Sequence, residues 1–309
     1  MSSIVGMGTC LPNGRLTNRD LEATLDTTDA WILERTGISE RRIAGADEDS
    51  ATLATAACAD AIKASGLDPE IIDLLVVATI TPPQRLPATS AFVQDNLGLH
   101  CGAFDLVAAC SGFVYAYVMA DALVQSGGAR AAVIVGSETL SDMVDPMDRG
   151  TKILFGDGAA AAVIVPSAPG HGLLGFDLGC DGSAANILAV APGAPYVHMD
   201  GKEVFRRAVR ACNQSAADAL ERAGIRADEI DVFVPHQANT RIIDAIIERM
   251  GLDKARTVRN LDVYGNTSAA SIPLALSEAD PQDGDLVLLC GFGAGMTWAS
   301  AVVRWGTGE

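Results

Sequence analysis

Short unbroken apolar runs punctuate the chain: "IDLLVVATI" (72–80), "AAVIVGSE" (131–138), "AAAAVIVP" (159–166), "IDVFVP" (230–235) and "DLVLLCGF" (285–292). Their length and continuity predict buried strands. Amphipathic or alanine-rich stretches between them predict helices over 51–65, 111–126, 203–223 and 239–250. The order is mixed α/β, with no linker or low-complexity segment.

The pattern also repeats. "SGLDPEIIDLLVV" (65–77) resembles "AGIRADEIDVFV" (223–234): a glycine to stop a helix, an acidic turn, then Ile-Asp and a strand. Gly66 and Gly224 are 158 residues apart, as are Asp73 and Asp231, and the runs from 131 and 285 are 154 apart. An ordered series of matches favours a duplication, with halves at 1–168 and 169–309. A shared site is then expected between them. Cys110 precedes Asn266 by nearly the same interval, 156 residues, and each stands before a small-residue helical stretch. Both are expected at strand-to-helix junctions.

Composition narrows the class. The chain has 309 residues and a formal charge of −17, which argues against general binding of nucleic acid or anionic membranes. No apolar run approaches the ~18 residues of a membrane span. The first residues lack the basic and apolar regions of a signal peptide, so a cytoplasmic protein is expected. Seven cysteines at wide spacings, without a CxxC pair, make a disulfide framework or metal site an unfavoured reading.

Three residues stand out chemically. Cys110, in "AACSGF", has small neighbours and a predicted helix just after it, whose unpaired N–H groups favour thiolate. Buried filler is the alternative. His236 follows a strand in "VPHQANTRII", where a parallel sheet presents its C-terminal edge; a capped surface histidine is the alternative. Asn266, in "YGNTSAASIP", occupies a turn and helix start, which capping alone would also explain. The order Cys, His, Asn occurs in papain-like proteases too, but their local cysteine signature is absent here.

Taken together, "ACSGF", "PHQANTRII", "GNTSAASIP" and "GFGAGMTW" resemble β-ketoacyl-[acyl carrier protein] synthase III, of the thiolase superfamily. The likeness runs from "DTTDAWILERTGISERRIA" through "DRGTKILFGDGAAAAV" to the last strand. It implies a thiolase-like fold: a duplicated α/β five-layered αβαβα sandwich with two mixed five-stranded sheets, as a homodimer. It implies that acyl-CoA acylates Cys110, and that malonyl-acyl carrier protein then loses CO2 and attacks the acyl-cysteine. His236 and Asn266 would hold the malonyl oxyanion. The Cys110 N–H and a backbone N–H near Ala294 would hold the other. No metal or cofactor is implied, since the CoA thioester is a substrate.

By motif, Trp31, Arg35 and Arg149 would grip CoA, Phe155 would line the acyl pocket, and Asn239 would support the site. Arg206 and Arg241, with Gln237, would face the acidic carrier protein. One departure concerns the primer. Many relatives have Phe before Pro in the pocket wall lent by the neighbouring subunit; this chain has Leu86-Pro87, and its 184–196 segment is short. Fatty-acid initiation is the first reading. Polyketide priming, or acyl transfer without decarboxylation, is the second. A non-catalytic acyl-CoA-binding scaffold is the third, and the intact Cys110, His236 and Asn266 speak against it.

Overall fold

The computed structural model describes residues 1–252 and 256–308. The apolar runs form strands within a residue or two of their predicted bounds. The first sheet holds β1 (Ser2–Cys10), β2 (Ile72–Ala78), β3 (Gly102–Leu106), β4 (Ala131–Thr139) and β5 (Asp157–Pro166). Its order is β1-β5-β4-β2-β3. The pairs β2–β3 and β2–β4 are parallel, and β5 is antiparallel to both its neighbours.

The second sheet repeats this plan. Strands β6 (Gly172–Cys180), β7 (Val232–Pro235), β8 (Leu286–Gly293) and β9 (Thr297–Arg304) lie in the order β7-β8-β9-β6. The β7–β8 pair is parallel, and the pairs to β9 are antiparallel. Five strands were expected here; four are present among the described residues. The fifth position is a single parallel bridge, Phe233 to Thr257. Pro235, at the end of β7, has no N–H to continue the ladder, and Gln237 Nε2 donates to the Val258 carbonyl at 3.2 Å in its place.

Helices fill the spaces between and outside the sheets. On the outer face of the first sheet, Leu53, Ala57 and Ala61 of α1 (Ser50–Ser65) pack against Leu75, Val77 and Val133, beside α2 (Thr89–Asn96). The centre is α3 (Gly112–Gln125) and α6 (Ser271–Ala279), whose Phe113, Tyr117 and Ile272 touch both sheets. On the far face, α4 (Gly201–Ala223) and α5 (Thr240–Met250) cover Phe233 and Leu288. Three helical layers therefore alternate with two sheets. Gly66 and Gly224 end α1 and α4 at φ 68° and 67°, a left-handed turn that suits glycine. No helix among the described residues is long and apolar enough to cross a membrane.

The two central helices begin alike. A short 3₁₀ turn, Ala109–Ser111, precedes α3, and another, Ser268–Ala270, precedes α6. Each opens on a non-glycine residue in left-handed conformation, Ala109 at φ 47° and Ser268 at φ 48°. Such geometry is costly and persists only where the surroundings impose it. It also corrects the expected pairing. By position in the turn and φ, Ala109 corresponds to Ser268, so Asn266 lies just ahead of the turn that matches the one containing Cys110.

Candidate active site

The 3₁₀ turn places Cys110 at the head of α3, where the middle layer meets the second sheet. The turn leans on β8 so closely that a Cβ added to Gly293 would stand 2.6 Å from the Cys110 nitrogen. Only glycine admits that approach. The thiol is buried, and burial pushes its pKa up to about 12. The Ser268 hydroxyl and the Cys110 N–H favour the thiolate, and the Glu138 charge opposes it. The helix N-terminus alone thus does not yield the free thiolate expected from the sequence; desolvation outweighs it.

His236 follows the end of β7, its backbone N–H donating to the Cys290 carbonyl at 2.7 Å. Its ring is 2 % exposed and meets Phe292 edge-on at 5.2 Å. Burial pushes the imidazole down to about 3, so the ring is neutral. Nδ1 lies 2.6 Å from the Ser271 Oγ, while Nε2 is buried without a protein partner. A buried unpaired polar atom is expensive, and this one borders a cavity.

Asn266 is held by its backbone. Its N–H donates to Leu154 O at 2.8 Å, and its carbonyl accepts from Gly156 N–H at 2.9 Å. Its Oδ1 accepts from Ser268 N–H at 2.9 Å, which leaves the amide NH2 for the cavity. One open cavity of about 760 Å³ touches Cys110, His236 and Asn266 together. A smaller apolar cavity of about 80 Å³ runs inward from Cys110, between Ile80, Leu140, Phe155 and Ala294.

The other expected residues divide. Trp31, Arg35, Phe155, Asn239 and Arg241 line the large cavity. At its mouth the Arg149 guanidinium lies 4.7 Å from the Trp31 ring centre and that of Arg35 lies 5.5 Å from it. Asn239 caps α5 by accepting from Arg241 N–H, and donates to the Arg35 carbonyl at 3.0 Å. It therefore ties that helix to the Trp31 segment. Arg206 faces a neighbouring groove and pairs with Glu203. Leu86 is 84 % exposed and lines neither of these cavities within its own chain. Gln237 is a correction. It is fully buried, donates to Pro235 O, and accepts from Asn260 N–H, so it cannot face a carrier protein. The tight turn after β7, in which Ala238 N–H donates to the His236 carbonyl, sets His236 at the cavity and Gln237 away from it.

Three residues of the site escaped the sequence reading. Ser271 touches His236, and Ser268 shares the wall of the inner cavity with Cys110. Glu138, fully buried at the end of β4, accepts from the Ser268 hydroxyl at 3.0 Å. Its signal in the sequence was faint: an acidic residue between Ser137 and Thr139 at the polar end of β4.

Comparison with known proteins agrees with this geometry. Two family models match: 3-oxoacyl-[acyl-carrier-protein] synthase III over residues 104–182, and its C-terminal part over residues 220–305. The β-ketoacyl-[acyl-carrier-protein] synthase III of Symbiobacterium thermophilum is 46% identical over 98% of this chain and 98% of its own length. Among solved structures, the 3-oxoacyl-[acyl-carrier-protein] synthase III of Aquifex aeolicus superposes with a TM-score of 0.96 at 42% identity, covering 99% of this chain and 100% of the other. The priming β-ketosynthase of the R1128 polyketide pathway superposes at 0.94 with 39% identity, covering 100% and 97%. The identity and coverage of these relatives, on top of the shared thiolase fold, place the chain in the 3-oxoacyl-[acyl-carrier-protein] synthase III family.

Proposed function

We propose that this chain condenses an acyl-CoA primer with malonyl-acyl carrier protein, giving 3-oxoacyl-acyl carrier protein and CO2. Cys110 is the acylated nucleophile, and His236 with Asn266 receives the malonyl oxyanion. The observation that carries this is a single cavity bordered by a buried thiol, an unpartnered His236 Nε2 and the Asn266 amide. Thiolates exchange readily with thioesters, so the acyl group can be held and passed on.

The neutral His236 fits its role. If the Ser271 hydroxyl donates to Nδ1, the ring's one proton sits on Nε2, aimed at the cavity. Nε2 and the Asn266 NH2 are then two donors for the enolate oxygen that forms as CO2 leaves. The tetrahedral oxyanion on the acyl-cysteine takes the Cys110 N–H and a backbone N–H near Ala294. The adenine end of CoA takes Trp31, Arg35 and Arg149, and the apolar inner cavity takes the acyl group. The reading places the enzyme in the cytoplasm as a homodimer, with halves at 1–168 and 169–309, and assigns it no nucleic-acid or membrane partner.

Intact-mass spectrometry after exposure to a panel of acyl-CoAs tests the reading. The parent should gain one acyl group and Cys110→Ser none. An adduct that persists on another cysteine overturns the assignment. Polyketide priming remains a second reading, favoured by the likeness to the R1128 enzyme and by Leu86 where many relatives have Phe before Pro. The preferred primer in the same panel separates the two.

A further inference from the structure

Glu138 is not needed by the chemistry above, yet it is tied to the nucleophile. Its two oxygens are used unequally. Oε2 accepts from the Thr81 hydroxyl at 2.7 Å, from Ile80 N–H at 3.0 Å and from the Thr79 hydroxyl at 3.2 Å. Oε1 accepts only from Ser268, at 3.0 Å. The donors on Oε2 hold the carboxylate in place. Oε1 is left with room for a proton.

Ser268 has one proton to give. While it donates to Glu138, its oxygen is left to accept, and the Cys110 thiol borders the same small cavity. Once the thiolate exists, the same hydroxyl must donate to sulfur, and Glu138 must then donate to Ser268. Resting on the reading of Cys110 as nucleophile, we propose that Cys110, Ser268 and Glu138 form a proton relay: attack on the thioester sends the thiol proton through Ser268 to Glu138 Oε1.

The step balances. The S–H bond breaks and sulfur keeps the electron pair. Ser268 gains that proton on Oγ and gives its own to Oε1. Sulfur then bonds the acyl carbon, and CoA leaves with the electrons of its C–S bond and takes a proton from water. Glu138 returns its proton to solvent through Ser268, which borders the inner cavity.

The surroundings suit the task. From the loop after β2 come the Thr79 and Thr81 hydroxyls; from the second 3₁₀ turn comes Ser268, and from the first, Cys110. Opposite on β5 stands Gly158. Among the described residues no lysine, arginine or histidine acts on Glu138, and burial pushes its carboxyl up to about 7. That is the range of a working base near neutral pH. Transfer within the relay also creates no net buried charge, because a thiolate replaces a carboxylate. Glu138 acts through Ser268 and touches no substrate.

Alkylation of Cys110 by iodoacetamide across pH, without substrate, tests the relay. Peptide mass spectrometry locates the label. In the parent, one proton shared by the coupled pair should hold the rate within about threefold from about pH 7 to about pH 9. Glu138→Gln keeps shape and removes the acceptor; Ser268→Ala removes the link. In either variant the rate should climb about tenfold per pH unit, as for an isolated thiol. Two independent variants guard against misfolding of one. A parent rate that climbs tenfold per unit, or variants that keep the flat profile, would overturn the relay alone. A label away from Cys110 would overturn the nucleophile reading as well.

Discussion

The Ser271 hydroxyl lies 2.6 Å from Nδ1 of His236, and this contact couples the direction of the hydroxyl to which ring nitrogen carries the proton. With Ser271 donating, Nε2–H faces the cavity. Ser271→Ala frees the ring to place its proton on Nδ1, and the oxyanion then meets a lone pair. Loss of one such donor costs about 10²–10³ in rate, and partial loss of the tautomer should cost about tenfold or more. The drop should appear in CO2 release from malonyl-acyl carrier protein. Acylation of Cys110, followed by intact mass, should stay near the parent rate. Equal losses in both steps would place Ser271 in packing rather than tautomer control.

Burial also gives His236 a signature in stability. Its folded-state value is pushed down to about 3 from an ordinary 6.5. Below the unfolded value the unfolded chain binds a proton that the native ring refuses, so stability falls on acidification. The slope from this one group is about 1.4 kcal/mol per pH unit. Glu138 works the other way: its raised value lets the native state bind a proton first as pH falls through about 7. His236→Asn removes only the first contribution. Urea unfolding should therefore show the variant losing less stability than the parent between about pH 6.5 and about pH 4.5. Parallel curves would mean that the ring protonates in the native state.

Most of the fold was legible because its central strands are built on short apolar runs, such as those within 131–138 and 285–292. Cys110 and His236 were legible because each breaks such a context with a reactive group at a strand's end. Glu138 was not. In sequence it reads as the polar residue that ends β4, and only the fold shows it fully buried against Ser268. The missing fifth strand and the misread Gln237 meet at Pro235, which has no N–H for the Val258 carbonyl. The Gln237 amide takes that place, and a side chain standing in for backbone pairing leaves no periodic trace.

Two guanidiniums lie against the Trp31 ring, that of Arg149 at 4.7 Å from its centre and that of Arg35 at 5.5 Å. At that spacing Arg149 must swing aside for an adenine ring to stack. Base stacking on an aromatic is worth about 1–3 kcal/mol. Trp31→Ala should raise the KM for acyl-CoA about tenfold or more, with a small change in kcat. A reduced kcat at unchanged KM would show that Trp31 acts on the chemistry, against its assignment to CoA binding.

Carrier docking should depend on Arg206 and Arg241. Arg206 stands exposed on α4, paired with Glu203 at 2.6 Å. Arg241 is exposed at the rim of the large cavity. An exposed ion pair of this kind contributes little to stability, so Arg206 can exchange Glu203 for a partner's carboxylate. Reversing both arginines to Glu should raise the KM for malonyl-acyl carrier protein and steepen its opposite response to salt, since exposed charges chiefly set association. Acylation by acyl-CoA should hold. A matching loss there would trace the effect to CoA binding or to misfolding.

Leu86 is the last determinant. Its side chain is 84 % exposed in the single chain, on a loop that reaches away from its own cavities. An exposed leucine at a loop tip suits burial against another copy, and the proposed homodimer would bring it to the partner's acyl pocket. The inner cavity beside Cys110 is small, about 80 Å³, and its fixed walls include Leu140 and Phe155. Room for a longer primer must then come from the side that Leu86 closes. Leu86→Phe adds bulk to that side, and overpacking of an apolar wall costs about 1–3 kcal/mol. The cost should fall on branched and long primers and spare acetyl-CoA. Comparing kcat/KM for acetyl-, butyryl-, isobutyryl- and octanoyl-CoA checks this. An unchanged chain-length profile would remove Leu86 from the pocket and leave primer choice to Phe155 and the 184–196 segment.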